Sequence, residues 1–140
     1  MGLKVTREAL SAFLVEQFPQ NPCTLEALGD GTATLRHPVG EAQLRPGGTV
    51  SGPVMMMAAD VALYAAILGR IGLVPLAVTT SLTINFLRKP SADADILAEC
   101  TLLKVGRALA IGEVTLYSEG HPDPVAHAVG TYAIPPAGRG

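Results

Sequence analysis

Asp60 is the only charged residue between Pro53 and Leu68, a run that reads Pro-Val-Met-Met-Met-Ala-Ala-Asp-Val-Ala-Leu-Tyr-Ala-Ala-Ile-Leu, and no cation lies within a helical turn of it. Taking an unpaired carboxylate out of water is strongly unfavourable, so such a group is paired from elsewhere in the fold, protonated, or turned to a cavity where the charge is used. The plain alternative is a helix carboxylate that reaches solvent or an arginine. Other residues offer less. Ser11, Ser81, Ser91 and Ser118 stand outside any Gly-x-Ser-x-Gly setting, which argues against a serine hydrolase. Cys23 and Cys100 have no CxxC or His-Cys spacing and read as reduced core thiols, with no zinc site. His127 falls in a strand alternation and reads as a satisfied core or interface histidine, while His37 and His121 precede prolines and read as loop residues.

The elements that must position Asp60 follow from periodicity. Residues 6–17 form an amphipathic helix, with Thr6 as cap, Leu10, Phe13 and Leu14 at helical spacing, and Pro19 beyond its end. Thr32 to His37 and Ala42 to Arg45 read as short strands broken at Pro38-Val39-Gly40, with Gly47-Gly48 closing the hairpin region. A long helix begins at Pro53, whose missing N–H is harmless there, and stops near Gly69 and Gly72. It is apolar all round, so it is expected to be buried. After Pro75 come four strands, about 77–88, 95–105, 107–118 and 125–134. In the first, Val78, Thr80, Leu82, Ile84 and Phe86 are expected on one face and Thr79, Ser81, Thr83, Asn85 and Leu87 on the other. The sum is an α+β domain in which an antiparallel sheet wraps a central helix. It is read as one domain over 1–140, with the N-terminal helix inside 1–20 and a flexible tail over 135–140.

A chain of 140 residues that is 49% hydrophobic and 16% charged has more apolar surface than one small sheet and one helix can cover, so a homodimer or homotetramer is expected. Net charge is −2 with Lys and Arg scattered, which lacks the footprint of a nucleic-acid binder. The first nineteen residues carry Lys4, Arg7, Glu8 and Glu16, unlike a signal peptide, and the Pro53 to Leu68 run is short for a bilayer and holds Asp60. With the reduced thiols this points to a cytoplasmic protein without a membrane partner.

From about Gly48 to Ile134 the chain resembles the hotdog fold, and within it the phenylacetyl-CoA-type (PaaI-like) acyl-CoA thioesterases. Gly48-Thr49-Val50-Ser51-Gly52-Pro53 followed by Asp60 is similar to that family's Gly-Thr-Leu-His-Gly-Gly with an acidic residue nine positions after the His. Asn85-Phe86-Leu87-Arg88, Lys104-Val105-Gly106-Arg107 and Val125 to Tyr132 support it. The resemblance implies hydrolysis of an acyl-CoA or other acyl thioester, with Asp60 as base or nucleophile, the Gly52 N–H as oxyanion donor and Thr79 where a Ser or Thr positions water. Thr79 also reads simply as a β-branched strand residue. Pro53, Met56 and Tyr64 are expected along the substrate, the three methionines 55–57 reading as core or as an acyl pocket. Arg45, Arg88, Lys104 and Arg107 are candidate phosphate contacts or solvated strand ends. Coenzyme A enters as part of the substrate, and no metal or other cofactor is implied.

Asp60 lies two turns beyond Gly52, on the order of 10 Å along the axis, too far to share one carbonyl with it. The pair must therefore meet between subunits, as the resemblance also implies. The family His is Ser51, which cannot titrate near neutral pH and reads equally as a helix cap. The Asn or Gln six positions earlier is Arg45, suited to neutralise Asp60 or a phosphate. These departures leave a second reading, a non-catalytic acyl-thioester-binding hotdog protein.

Overall fold

The computed structural model describes residues 2–136. Helix α1 (Arg7–Gln17) is capped as the sequence suggests: the Ala9 N–H donates to the Thr6 hydroxyl at 3.0 Å, and Leu10 and Leu14 are buried. Strands β1 (Thr24–Gly29) and β2 (Thr32–His37) then pair antiparallel. β1 was not expected from the sequence. It is an edge strand interrupted between Leu25 and Ala27, and of its residues Leu25 alone is fully buried, so its side chains carry no clear alternation. β2 has the bounds expected from its composition, so His37, whose following proline had also suggested a loop, closes the strand, 4% exposed, with Nδ1 2.8 Å from the Pro38 carbonyl.

The strand expected at 42–45 is shortened, because Glu41–Gln43 forms one 3-10 turn. What remains is a minimal hairpin of β3 (Leu44–Arg45) and β4 (Thr49–Val50), closed by Gly47 and Gly48 at φ of 98° and 75°. Glycine adopts that left-handed region without steric penalty, and the turn delivers the chain straight into helix α2 (Gly52–Ile71). Pro53 stands in its first turn and Gly72, at φ 103°, ends it. Its 20 residues have the length and apolarity of a membrane span, yet 61% of the most apolar stretch is buried inside the protein.

Strands β5 (Val78–Phe86), β6 (Ile96–Val105), β7 (Leu109–Ser118) and β8 (Ala126–Ala133) complete the chain. The sheet order is β1-β2-β6-β7-β8-β5, antiparallel throughout. α2 lies against it, which is the hotdog arrangement. β5 skips β6 and pairs with β8, so it forms an edge with one side unpaired. Of the tail expected over 135–140, residues 135 and 136 have no regular structure, and the rest lies outside the described residues.

The helix approaches the sheet closely because the strands offer it almost no side chain. Toward α2, β8 presents Ala126, Ala128, Gly130 and Tyr132, all buried, and Gly130 stands opposite Gly112 of β7. Leu63, fully buried, fills the hollow over this glycine pair. A Cβ at Gly112 would fall 2.8 Å from Leu63, and one at Gly130 would collide with the same side chain. Gly130→Ala is therefore expected to destabilise the fold by about 1–3 kcal/mol, the usual penalty for overpacking a filled core. Denaturant unfolding measures it; an unchanged midpoint would mean that Leu63 repacks freely and does not set the helix height.

Candidate active site

Asp60 projects from the middle of α2 to the edge where β8 meets β5. Its Oδ1 accepts a hydrogen bond from the Thr79 hydroxyl at 2.6 Å and another from the Tyr132 hydroxyl at 2.8 Å. Among the described residues no cation pairs with it. Arg45, a candidate partner from sequence, lies instead by the helix start. The carboxylate is thus held by neutral donors alone, half-buried, and it borders two open cavities of about 400 Å³ each.

Thr79 reaches Asp60 through an irregularity in β5. The register with β8 runs Val78 to Ala133 and Thr79 to Tyr132, then resumes with Ser81 opposite Thr131. Thr80 is the extra residue of a bulge, a device that re-aims side chains next to sites. Strict alternation would have put Thr79 on the face away from Leu82 and Ile84. The bulge places it on the helix side with them, which corrects the face assignment read from sequence.

Tyr132 was given no role from sequence. Its hydroxyl also lies 3.0 Å from the backbone carbonyl of Asp60, and its ring stacks on Tyr64 with centroids 6.0 Å apart. Tyr64 in turn meets Phe18 edge-on at 6.4 Å and donates to the Pro75 carbonyl at 3.1 Å. Burial pushes the phenols of both tyrosines up, and at Tyr132 the neighbouring Asp60 charge adds to it. Tyr132 therefore keeps its proton and acts as a hydrogen-bond donor to Asp60. The available signal was the inward face of β8, where one large hydroxyl-bearing residue follows two alanines and a glycine.

The first cavity is lined by Phe18, Tyr64, Pro75, Thr79 and Tyr132, so Tyr64 stands by the candidate site. The second is a groove along α2, where Pro53 and Met56 join Met57, Asp60, Thr79 and Leu82. The methionine run divides: Met55 is core and Met56 faces the groove. At the helix start a third cleft, of about 460 Å³, gathers Arg45, Thr49, Gly52, Phe86, Arg88 and Lys89. Gly52 packs closely on the Phe86 ring: a Cβ there would sit 3.3 Å from it, so the ring would have to give by a few tenths of an ångström. Ser51 is the N-cap by position, but its hydroxyl makes no capping bond. Thr49 Oγ1 is enclosed and has no hydrogen-bond partner. Arg36, by contrast, is neutralised by Glu26, Asp95 and Glu119 at 3.2, 3.0 and 2.6 Å, so its charge is not available to a ligand.

The candidate residues thus form two groups. Asp60 is bonded to Thr79 near one end of β5, whereas Gly52 rests against Phe86 at the other end. In the register of β8 these are Tyr132 and Ala126, six residues or about 20 Å apart. Lys104 and Arg107 flank the β6–β7 turn, at the Val78 end of β5 and remote from Arg45 and Arg88. A single protomer does not bring the oxyanion-donor candidate to the carboxylate.

The sequence profile of the thioesterase superfamily matches residues 47–125, which include Gly52, Asp60 and Thr79 but not Tyr132. Among solved structures the chain is similar to a provisionally assigned thioesterase from Silicibacter sp., with 48% identity, a TM-score of 0.89, and 96% of this chain and 94% of that one covered. It is also similar to a point variant of the phenylacetic acid degradation protein PaaI from Thermus thermophilus, with 26% identity, a TM-score of 0.73, and 84% and 96% covered. Zebrafish thioesterase superfamily member 2 shares the fold at 20% identity and a TM-score of 0.83, with 94% and 100% covered. A search of curated proteins returned no match.

The two thiols, Cys23 and Cys100, read from sequence as core residues, are both buried and pushed up to about 12 by desolvation. At pH 8 each is ionised in on the order of one molecule in ten thousand, so neither can act as the nucleophile. The native protein is expected to release almost no chromophore from a disulfide reagent such as DTNB within minutes, and two equivalents after unfolding in guanidinium. Rapid labelling of the native protein would show an accessible thiol and contradict their place in the core.

Proposed function

The chain belongs to the thioesterase superfamily and is a thioester hydrolase of the PaaI-like hotdog type, and on that footing we propose that it cleaves an acyl-CoA with Asp60 as the acid-base or nucleophilic group. The observation that carries this reading is the Asp60 carboxyl group, unpaired with any cation among the described residues and held by two hydroxyls at the mouth of two cavities. Acting as base, Asp60 takes a proton from water as its oxygen bonds to the acyl carbon, and the carbonyl electrons move onto oxygen. The oxyanion collapses, the carbon–sulfur bond breaks, and the leaving thiolate takes up the proton that Asp60 had accepted, which restores the carboxylate. Acting as nucleophile, the carboxylate bonds to the acyl carbon, the carbon–sulfur bond breaks and the thiolate leaves, and water then opens the mixed anhydride to release the acid and restore the carboxylate. Both routes need a donor at the oxyanion, and the Gly52 N–H at a helix N-terminus is suited to it.

Gly52 reaches that position from the partner subunit. An unpaired edge strand carrying Val78 and Phe86, each 51% exposed, is a ready template for a second copy. Antiparallel pairing of two β5 strands about a two-fold axis brings the Thr79 end of one against the Phe86 end of the other. The carboxylate of each protomer then meets Gly52 of the partner subunit, twice per dimer. The same operation brings Lys104 and Arg107 toward Arg45 and Arg88 of the partner subunit, which joins the separated cations around the phosphates of coenzyme A. Ser51, with an uncommitted hydroxyl, lends one hydrogen bond where the family His stands, and Pro53, Met56 and Tyr64 line the acyl path. Leu109 and Val129, exposed on the outer face of the sheet, favour a further pairing of dimers into a tetramer. Buried, unpaired thiols suit the cytoplasm.

Two outcomes test this. Asp60→Asn keeps the shape and removes the charge, so thioester hydrolysis should fall at least about a hundredfold with melting temperature and assembly unchanged, the low end for losing a positioned acid-base group. Hydrolysis at the parental rate would make Asp60 structural.

The second outcome concerns assembly. The midpoint between Thr79 and Phe86, counted along β8, falls at Val129, opposite Thr83. Thr83 should therefore face its own copy across the axis, within the Cα separation that a disulfide spans. Thr83→Cys is expected to cross-link the native dimer on mild oxidation. A monomer in sedimentation equilibrium at micromolar concentration would remove the shared site, and a dimer that does not cross-link would remove this register.

A further inference from the structure

Two hydroxyls converge on one oxygen of Asp60, but they are not equivalent supports. Thr79 sits on the edge strand β5, directly beside the bulge, and is exposed. Tyr132 is 3% exposed on β8, a strand paired on both sides, and its ring is clamped against Tyr64. Its single proton is shared between Asp60 Oδ1 at 2.8 Å and the Asp60 carbonyl at 3.0 Å, which ties the carboxylate to the backbone of its own helix. With Thr79 donating to the same Oδ1 at 2.6 Å, Oδ1 is occupied twice while Oδ2 has no protein donor among the described residues. A carboxylate held this way presents one oxygen, in one orientation, to the cavities.

We infer that Tyr132 is a positioning residue: its phenol fixes the Asp60 side chain so that Oδ2 is the oxygen that meets water or the acyl carbon. The inference rests on the hydrolase reading for its kinetic consequence and on geometry alone for its structural one. It concerns a residue beyond the segment matched by the superfamily profile, which ends at residue 125. Misplacing a reacting group by about 1 Å can cost up to a hundredfold in rate, so the loss of one of two tethers should register clearly.

Tyr132→Phe is the direct test, since it preserves the ring and its stack on Tyr64 and removes only the hydroxyl. The expected result is kcat lowered by about tenfold, KM within twofold of the parent, and a melting temperature changed by no more than a few degrees. In the Asp60→Asn background the same substitution should cause no further loss, because residues that act as one unit are non-additive. Crystal structures of parent and variant should show the Asp60 carboxylate leaving its single orientation once the phenol is gone. Parental kcat in a well-folded variant, or an undiminished loss in the Asp60→Asn background, would overturn the inference. So would an Asp60 side chain that stays in place without the hydroxyl. If the parent hydrolysed no acyl-CoA, that would count against the proposed reaction alone, and the crystallographic comparison would decide the positioning role: movement of Asp60 supports it and immobility refutes it.

Discussion

Everything in this molecule is arranged around burying one apolar helix that carries one carboxylate. The two requirements oppose each other, because the surroundings that best cover α2 are the worst surroundings for a charge. The sheet meets both along a single strand. β8 offers the helix Ala126, Ala128 and Gly130, which let Leu63 settle into the hollow beside Gly112, and then Tyr132 one step further on. Closeness is what brings the phenol within 2.8 Å of Asp60. The glycine pair and the tyrosine are therefore parts of one device: the first sets the height of the helix above the sheet, and the second satisfies the charge exposed at that height. Neutral donors stabilise the anion without cancelling it, as an arginine would, so it stays usable for chemistry.

The second constraint is length. α2 separates its own N-terminus from Asp60 by two turns, and the sheet edge holds the two groups apart as well, with Phe86 of β5 beside Gly52 and Thr79 beside Asp60. A carbonyl is small compared with that distance, and no local movement of a buried helix closes it. The edge strand that creates the problem also offers the solution, since an unpaired edge with exposed apolar residues favours a second copy, and two-fold symmetry swaps the ends. On this reading dimerisation is part of the reaction geometry rather than a means of covering apolar surface.

Much of this was legible in the sequence, and the failures have physical causes. The buried helix with its lone Asp60, and the four strands after Pro75, follow from periodicity and from glycine and proline punctuation. β1 was missed because a half-exposed edge strand of mixed composition carries no alternation. The 42–45 strand was overread because a turn and a two-residue strand can share one short sequence. Thr79 was placed on the wrong face because a bulge changes parity without a marker in composition. Tyr132 went unassigned because its partner lies 72 positions away, and only the fold makes them neighbours. The pairings across the sheet are non-local facts, whereas the residue types that make them useful are local ones.

The departures at Ser51 and Arg45 bear on which chemistry so sparse a site can support. A hydrolase acting on an ester or amide must protonate a poor leaving group, which is the usual reason for a second titrating group such as histidine. A thioester expels a thiolate, whose conjugate acid is far stronger than an alcohol or amine (about 8.5 for a cysteine side chain), so bond breaking needs less help from an acid near neutral pH. Tyr132 could not supply that acid, since burial and the Asp60 charge hold its proton firmly and its hydroxyl is committed to the carboxylate. What remains necessary is a charge held in one orientation, a donor for the oxyanion, and a hydroxyl such as that of Ser51 to orient the reactants. One carboxylate and its tethers can meet that demand for a thioester, and would fall short for an ester or an amide. Replacing the family His by Ser is thus compatible with thioester hydrolysis, the reaction whose leaving group asks least of an acid.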